Sequence, residues 1–204
     1  MTNTVSRPAR WLGLLLALAA AVGLGLQLAL LIDLLGMPLG PWRWLGFFTA
    51  WSNLLALAIG AGTVAGRTRS PRMELVQLVA LAGVGLVYSL LLRATWDEQG
   101  IQQVAGIILH DVTPLLAAAL WWTGRHGALG VGDFFAALLF PAVYLLCATV
   151  RAALDGWVPY EFLNPAGDGL ALNLVLTMAV FALVAAGVMA IDARLGARRP
   201  DARR

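Results

Sequence analysis

Six stretches of this chain, at 11–36, 47–66, 73–95, 104–123, 131–150 and 170–192, are apolar almost without interruption. Each is long enough for a helix to cross a bilayer, which takes about 20 residues. In lipid every backbone N–H and C=O must find a partner inside the protein, so a crossing segment is a helix or a strand of a closed barrel. Leucine and alanine dominate these runs and barrel-type alternation is missing from them, which leaves the helix. The reading is an all-α fold: a polytopic membrane protein, a six-transmembrane-helix bundle, with residues 1–204 forming a single integral membrane domain. Composition agrees, since 60% of the chain is hydrophobic and 12% charged, against about 45–50% and about 25% in a soluble domain. The first run contains LALAAAVG but outlasts the 7–15-residue core of a signal peptide, so it is read as a retained helix.

All 14 basic residues are arginine. Arg7, Arg10, Arg67, Arg69, Arg72, Arg125, Arg194, Arg198, Arg199, Arg203 and Arg204 fall on one side of the six helices, and Arg43, Arg93 and Arg151 on the other. The positive-inside rule therefore puts both termini in the cytoplasm. The basic tail lacks interleaved aromatics, so it fits anionic lipid headgroups and not nucleic acid.

The single cysteine, Cys147, rules out an internal disulfide and a cysteine-ligated metal. The two histidines, His110 and His126, fall on opposite sides, which rules out haem held by both. No cofactor or metal is expected. The loops are too short for a soluble domain, so function must lie within the bundle or at its rims. The longest loop, 151–169, carries Trp157, Tyr160 and Phe162, read first as an interfacial aromatic belt and alternatively as the cap of a cavity. Internal repeats of the kind that build transporters are not found.

With the topology fixed, each polar residue in a helix acquires a depth. Thr49, Ser52 and Asn53 lie in the outer half of helix two; Tyr88, Ser89 and Arg93 in that of helix three; His110, Asp111 and Thr113 in that of helix four; Tyr144, Cys147 and Arg151 in that of helix five. Residues three and four apart share a helix face, so Thr49, Ser52 and Asn53 form one stripe and His110, Thr113 and Pro114 another. Intramembrane ionisable groups cost about 2.5–3.5 kcal/mol on insertion scales and face a bundle interior or a wet cavity. A polar pocket open to the outer leaflet is the expectation, while the apolar inner halves speak against a continuous polar path for a channel. Structural roles compete with this: Ser52 and Thr113 can bond the preceding turn, Arg93 and Arg151 can snorkel, and Asp97 can pair with Arg93. His110 is too deep and too short to snorkel. Thr49 and His110 agree in depth to within about 5 Å, so a hydroxyl and a base can meet across the bundle. Ser52 or Asn53 would then be donors to an oxyanion, and the arginines would hold a carboxylate or phosphate.

FTAWSN, LLRATWDEQG, LHDVTPLL, Tyr144 with Arg151, and GWVPYEFLN follow one another along residues 40–195. In that order they resemble a bacterial family of six-helix membrane proteins, itself distantly similar to the eukaryotic androgen-induced protein and androgen-dependent TFPI-regulating protein. Those eukaryotic proteins are membrane threonine hydrolases that cleave fatty acid esters of hydroxy fatty acids. The resemblance implies Thr49 as nucleophile, His110 as its partner, and a bacterial plasma membrane as location. Ser89 stands where bacterial relatives carry a bulkier polar residue, often histidine, and Asp111 where they carry an aromatic.

The expected activity is hydrolysis of a lipid ester by Thr49 and His110 in an outer-leaflet pocket. Ser52, Asn53, Tyr88, Arg93, Tyr144, Arg151 and Asn164 form the expected substrate-binding set, and the partners are membrane lipids and an amphipathic or lipid-ester small molecule. The alternative is a non-catalytic protein that binds such a ligand in the same pocket, gripping its head group with Arg93, Arg151 and Tyr144.

Overall fold

The computed structural model describes residues 5–93 and 98–198, and they contain helices and connecting loops with no strand among them. Helix α1 spans Arg7–Leu35, a short α2 spans Leu39–Trp44, and α3 spans Phe48–Val64. Helix α4, Pro71–Val87, runs on into a π-helical turn, Tyr88–Leu92. Helix α5, Ile101–Ile107, a second π-helical turn, Ile108–Val112, and α6, Thr113–Trp122, form one rod. Helices α7, Val131–Asp155, and α8, Leu170–Ala197, complete the bundle.

Five rods are long and apolar enough to cross a membrane: Arg7–Leu35, Pro71–Leu90, Ile101–Trp122, Val131–Asp155 and Leu170–Ala197. The protein is accordingly an all-helical membrane protein. Helix α3 has 17 residues, about 26 Å at 1.5 Å per residue, the short end of what spans a hydrocarbon core. At the periphery Leu18, Leu139, Val175 and Leu183 point outward, as lipid-facing side chains do.

The helix ends follow local chemistry. Ser6 and Ser70 cap α1 and α4 by accepting from the N–H groups of Ala9 and Met73, each with a proline in the first turn. The Asp133 carboxylate accepts from Gly130 N–H at the start of α7. Helix α3 differs, because Phe47 at its N-cap supplies no side-chain acceptor.

Small residues set the closest approach. A Cβ on Gly60 of α3 would stand 2.6 Å from the Gly13 carbonyl of α1, and one on Gly13 would stand 2.9 Å from Thr63 Cβ. These two helices therefore cross in near backbone contact, the geometry small residues permit in membranes. A larger core of Phe48, Val79, Val84, Ala148, Phe181 and Ala185 joins α3, α4, α7 and α8. The pairing of the start of α1 with the end of α3 makes the first rods antiparallel and defines two ends of the bundle. One end carries Leu35, Phe48, Leu92, Ile101, Asp155 and Leu170; it holds the site described next.

The expected helix positions are recovered with altered ends: α1 starts at Arg7, α7 extends to Asp155 and α8 to Ala197. Nothing in the hydropathy pattern announces the short α2 or the two π turns. Asp97 lies outside the described residues.

Candidate functional site

The two π turns face each other. The Arg93 N–H bonds the Tyr88 carbonyl and the Thr113 N–H bonds the Ile108 carbonyl, each closing a turn over five residues. Such turns occur frequently at functional sites. Pro114 explains the second: without an N–H it cannot bond the carbonyl of His110 four residues earlier. That freed carbonyl approaches α4, where a Cβ on Gly85 would lie 2.8 Å from it. Glycine is what lets the His110 backbone come so close.

The His110 ring stacks on the Tyr88 ring, with centroids 3.9 Å apart and planes 12° from parallel. Its Nδ1 lies 2.9 Å from the Gly106 carbonyl and its Nε2 lies 3.2 Å from Thr49 Oγ1. A carbonyl only accepts, so Nδ1 bears the proton and Nε2 offers a lone pair. The Thr49 hydroxyl therefore donates to Nε2. Both residues are buried. Tyr88 donates its phenol hydrogen to Glu98 Oε2 at 2.7 Å, and a Cβ on Gly106 would collide with that carboxylate.

Ser52 and Asn53 are fully buried and turn to the backbone: Ser52 Oγ donates to the Thr49 carbonyl at 3.1 Å, and Asn53 Nδ2 to the same carbonyl at 3.0 Å. Asn53 Oδ1 accepts from Thr113 Oγ1 at 2.7 Å, tying α3 to the rod that carries His110. Neither residue lines a cavity beside Thr49, so their position is one of support and not of donation to a reacting atom.

The arginines are engaged elsewhere. Arg93 Nη2 reaches both Asp111 oxygens, at 2.6 and 2.7 Å, and its guanidinium lies over the Tyr88 ring. Asp97, the partner that sequence spacing suggests, lies outside the described residues; among those described the partner is Asp111, on the second π turn. Arg151 donates to the Trp42 carbonyl at 2.7 Å, stacks over the Trp42 ring at 4.0 Å and lies 3.9 Å from Asp155, which also holds Arg43 at 2.9 Å. Asn164 is bound to Glu161 and to the Ala166 N–H within its own loop. Ser89 is exposed. Of the expected binding residues, Tyr88 and Tyr144 line the cavity with Thr49 and His110.

Tyr160 is the residue whose place the sequence leaves open. The loop from Gly156 to Gly169 folds over the start of α3: Trp157 and Tyr160 meet the Phe47 ring edge-on, Tyr144 donates to the Gly46 carbonyl at 2.9 Å, and Asn173 holds the Phe162 carbonyl at 2.9 Å. The loop aromatics thus cap a cavity. The Tyr160 oxygen meets the Thr49 hydroxyl, the Tyr144 hydroxyl and the backbone N–H groups of Phe48 and Thr49. Those N–H groups open α3, where Phe47 supplies no side-chain acceptor, and they carry the positive end of the helix dipole. Burial pushes the Tyr160 phenol above its ordinary pKa, so it stays protonated and able to donate.

Thr49 and His110 stand between two spaces. A groove of about 690 Å³, bordered by Gln27, Asp33, Glu98 and Gln102, opens between α1 and α5, within the size range of small-molecule sites. On the other side lies a narrow apolar pocket of about 30 Å³ bordered by Gly83, Val84, Leu145 and Phe181. The arrangement can deprotonate an alcohol, offer it to a carbonyl, and present a phenol donor, backed by the N–H groups of Phe48 and Thr49, to a developing oxyanion. No group of three or more histidine, cysteine or acidic side chains among the described residues is placed to hold a metal.

A second buried polar group lies at the opposite end of the bundle. His126 Nδ1 meets Asp192 Oδ1 at 3.0 Å, Gly127 N–H donates to Asp192 Oδ2 at 2.8 Å, and Glu74 is buried against Arg69 at 2.7 Å. The expectation that the inner halves are apolar misses this cluster.

No family model, no curated protein and no solved structure matches the chain.

Proposed function

We propose that this protein is an intramembrane lipid-ester hydrolase in which Thr49 is the nucleophile and His110 the general base. The observation that carries the proposal is the 3.2 Å contact from the Thr49 hydroxyl to the unprotonated Nε2 of a histidine whose Nδ1 hydrogen is held by Gly106. Buried hydroxyl, base and orienting acceptor follow in line, the arrangement that activates hydroxyl nucleophiles. Thr49 Oγ1 attacks the ester carbonyl as its proton passes to His110 Nε2. The oxyanion is held by the Tyr160 hydroxyl, whose oxygen is itself polarised by the N–H groups of Phe48 and Thr49. Collapse breaks the bond to the alcohol oxygen, which takes the proton from His110, and leaves an acyl-Thr49. Water, deprotonated by the same Nε2, then releases the fatty acid.

The proposal includes six crossings, counting α3, both termini in the cytoplasm, a bacterial plasma membrane, and kinship with the androgen-induced protein family. Supporting it are the ordered motifs and the arginine asymmetry. Fatty acid esters of hydroxy fatty acids, or similar lipid esters, are the substrates this kinship offers. The binding-only reading is weakened because Arg93 and Arg151, its intended grips, are occupied by Asp111, Asp155 and the Trp42 carbonyl. The test is a fluorophosphonate probe with purified protein, followed by a long-chain ester assay. Labelling is expected on Thr49 and lost in Thr49→Ala and His110→Ala; labelling that persists unchanged in both variants rejects the mechanism.

A further inference from the structure

The base of the Thr49–His110 pair has no carboxylate behind it. In hydroxyl-activating triads an acid accepts the histidine Nδ1 hydrogen and offsets the charge that forms on the ring. Here the acceptor is the Gly106 carbonyl at 2.9 Å, a dipole and not a charge. No carboxylate among the described residues bonds either nitrogen of His110. Asp111, its neighbour in the chain, gives both oxygens to Arg93 at 2.6 and 2.7 Å. His110 is buried, so a charge formed on its ring is poorly solvated and needs an answer from within the protein.

What lies against that ring is the face of Tyr88. The centroids are 3.9 Å apart and the planes 12° from parallel, so the imidazole sits over the π electrons of the phenol. An aromatic face attracts a cation, and does so more strongly where water is excluded. Tyr88 is itself buried, and its hydroxyl donates to Glu98 Oε2 at 2.7 Å. A hydrogen bond donated to a carboxylate polarises the phenol and enriches the face turned to His110. Gly106 is the seat of the whole arrangement. Its carbonyl holds Nδ1, and its missing side chain leaves the room that Glu98 fills, since a Cβ there would collide with that carboxylate and stand 3.3 Å from the Tyr88 hydroxyl. Arg93 also approaches the Tyr88 ring, 5.0 Å from its centroid, with its charge met by Asp111.

We infer that Tyr88 takes the part a carboxylate plays in other hydroxyl-activating triads: its ring face stabilises the His110 imidazolium, and Glu98, which touches neither Thr49 nor His110, is the positioning residue that lends its charge through the phenol. This rests on the hydrolase reading above. As Thr49 Oγ1 bonds to the ester carbonyl carbon, its proton passes to His110 Nε2, the carbonyl oxygen gains a negative charge and the imidazole a positive one. The Tyr88 face answers the positive charge, and only while it exists, so it lowers the barrier without tightening substrate binding. On collapse the bond to the alcohol oxygen breaks, that oxygen takes the proton from Nε2, and the ring is neutral again.

The experiment uses the full chain in nanodiscs with the palmitoyl ester of a hydroxystearic acid, and places phenylalanine and its mono-, di- and trifluoro derivatives at position 88. Fluorine withdraws electrons from the ring face while leaving the shape of the stack nearly unchanged. kcat should fall with each fluorine, by roughly tenfold across the series, with KM preserved. Tyr88→Leu, which removes the face, should lower kcat by roughly tenfold to thirtyfold. Glu98→Gln should lower kcat in the otherwise wild-type chain and add nothing to the loss in Tyr88→Phe, where the link through the phenol is already cut. A fluorine series in which kcat stays flat or rises, beside an active wild type, overturns the inference and leaves the hydrolase standing, because a stack that only holds the imidazole in place is indifferent to the electrons of its partner. A wild-type chain that neither cleaves the ester nor is labelled at Thr49 rejects the hydrolase reading and the inference with it.

Discussion

Thr113→Val should destabilise the protein more than the double change Thr113→Val with Asn53→Leu. Thr113 Oγ1 donates to Asn53 Oδ1 at 2.7 Å, and both residues are completely buried. An interhelical hydrogen bond in a membrane contributes on average only about 0.6 kcal/mol and at most about 1.7 kcal/mol. A buried acceptor stripped of its donor costs about 1–3 kcal/mol. Valine is close to threonine in shape, so Thr113→Val removes little packing but orphans Asn53 Oδ1, for a cost of about 1–3 kcal/mol. Asn53→Leu alone leaves the Thr113 hydroxyl its second acceptor, the Leu109 carbonyl at 3.0 Å, and leaves the Thr49 carbonyl its bond from Ser52 at 3.1 Å. In the double variant the orphaned Asn53 acceptor is gone, while the Leu109 carbonyl loses the two side chains that donate to it, and stability should recover by up to about 1 kcal/mol relative to Thr113→Val. Reversible unfolding of the purified protein in mixed micelles measures all four species of the cycle. If the two single losses simply add in the double variant, Asn53 and Thr113 are not coupled and the tie between α3 and the His110 rod is not what holds the site.

Three other perturbations probe the site and its frame. Gly85→Ala would put a Cβ 2.8 Å from the His110 backbone carbonyl, so α4 and the His110 rod must move apart; probe labelling of Thr49 should slow by roughly tenfold to a hundredfold as the ring is displaced by a few tenths of an ångström, and the thermal midpoint should fall. Tyr160→Phe removes one oxyanion donor and should lower ester turnover by about 10²–10³-fold, read as a fall in kcat with KM preserved. Asp192→Ala, at the far end, strips His126 and Gly127 of their acceptor and should cost about 1–3 kcal/mol in unfolding for each buried donor left without a partner, while activity per folded molecule stays at the wild-type level.

What is legible in the sequence divides from what is not along a physical line. Helical periodicity and hydropathy fix which residues lie at one depth and share a face, which is why Thr49 and His110 are recognisable as a permitted pair. They do not fix how one helix is rotated against another. The Arg93–Asp111 bridge depends on that rotation, as does the His126–Asp192 contact between residues 66 apart. Tyr160 is one of three loop aromatics with an equally good interfacial explanation, and only the closure of its loop over Phe47 and Thr49 distinguishes it. Ser52 and Asn53 show the converse. Their stripe is plain in the spacing, but a buried amide beside free carbonyls satisfies the backbone first.

The π turn at Ile108–Val112 makes chain length itself a determinant of the chemistry. A turn closed over five residues holds one residue more than a turn closed over four. Excising a single residue there would restore regular helix and rotate everything on one side of the cut by about 100° against the other. His110 and Thr113 would then no longer address Thr49 and Asn53 together, although every side chain named in the site was still present. A deletion of one apolar residue, silent in composition and in hydropathy, would disable the site as surely as replacing the histidine.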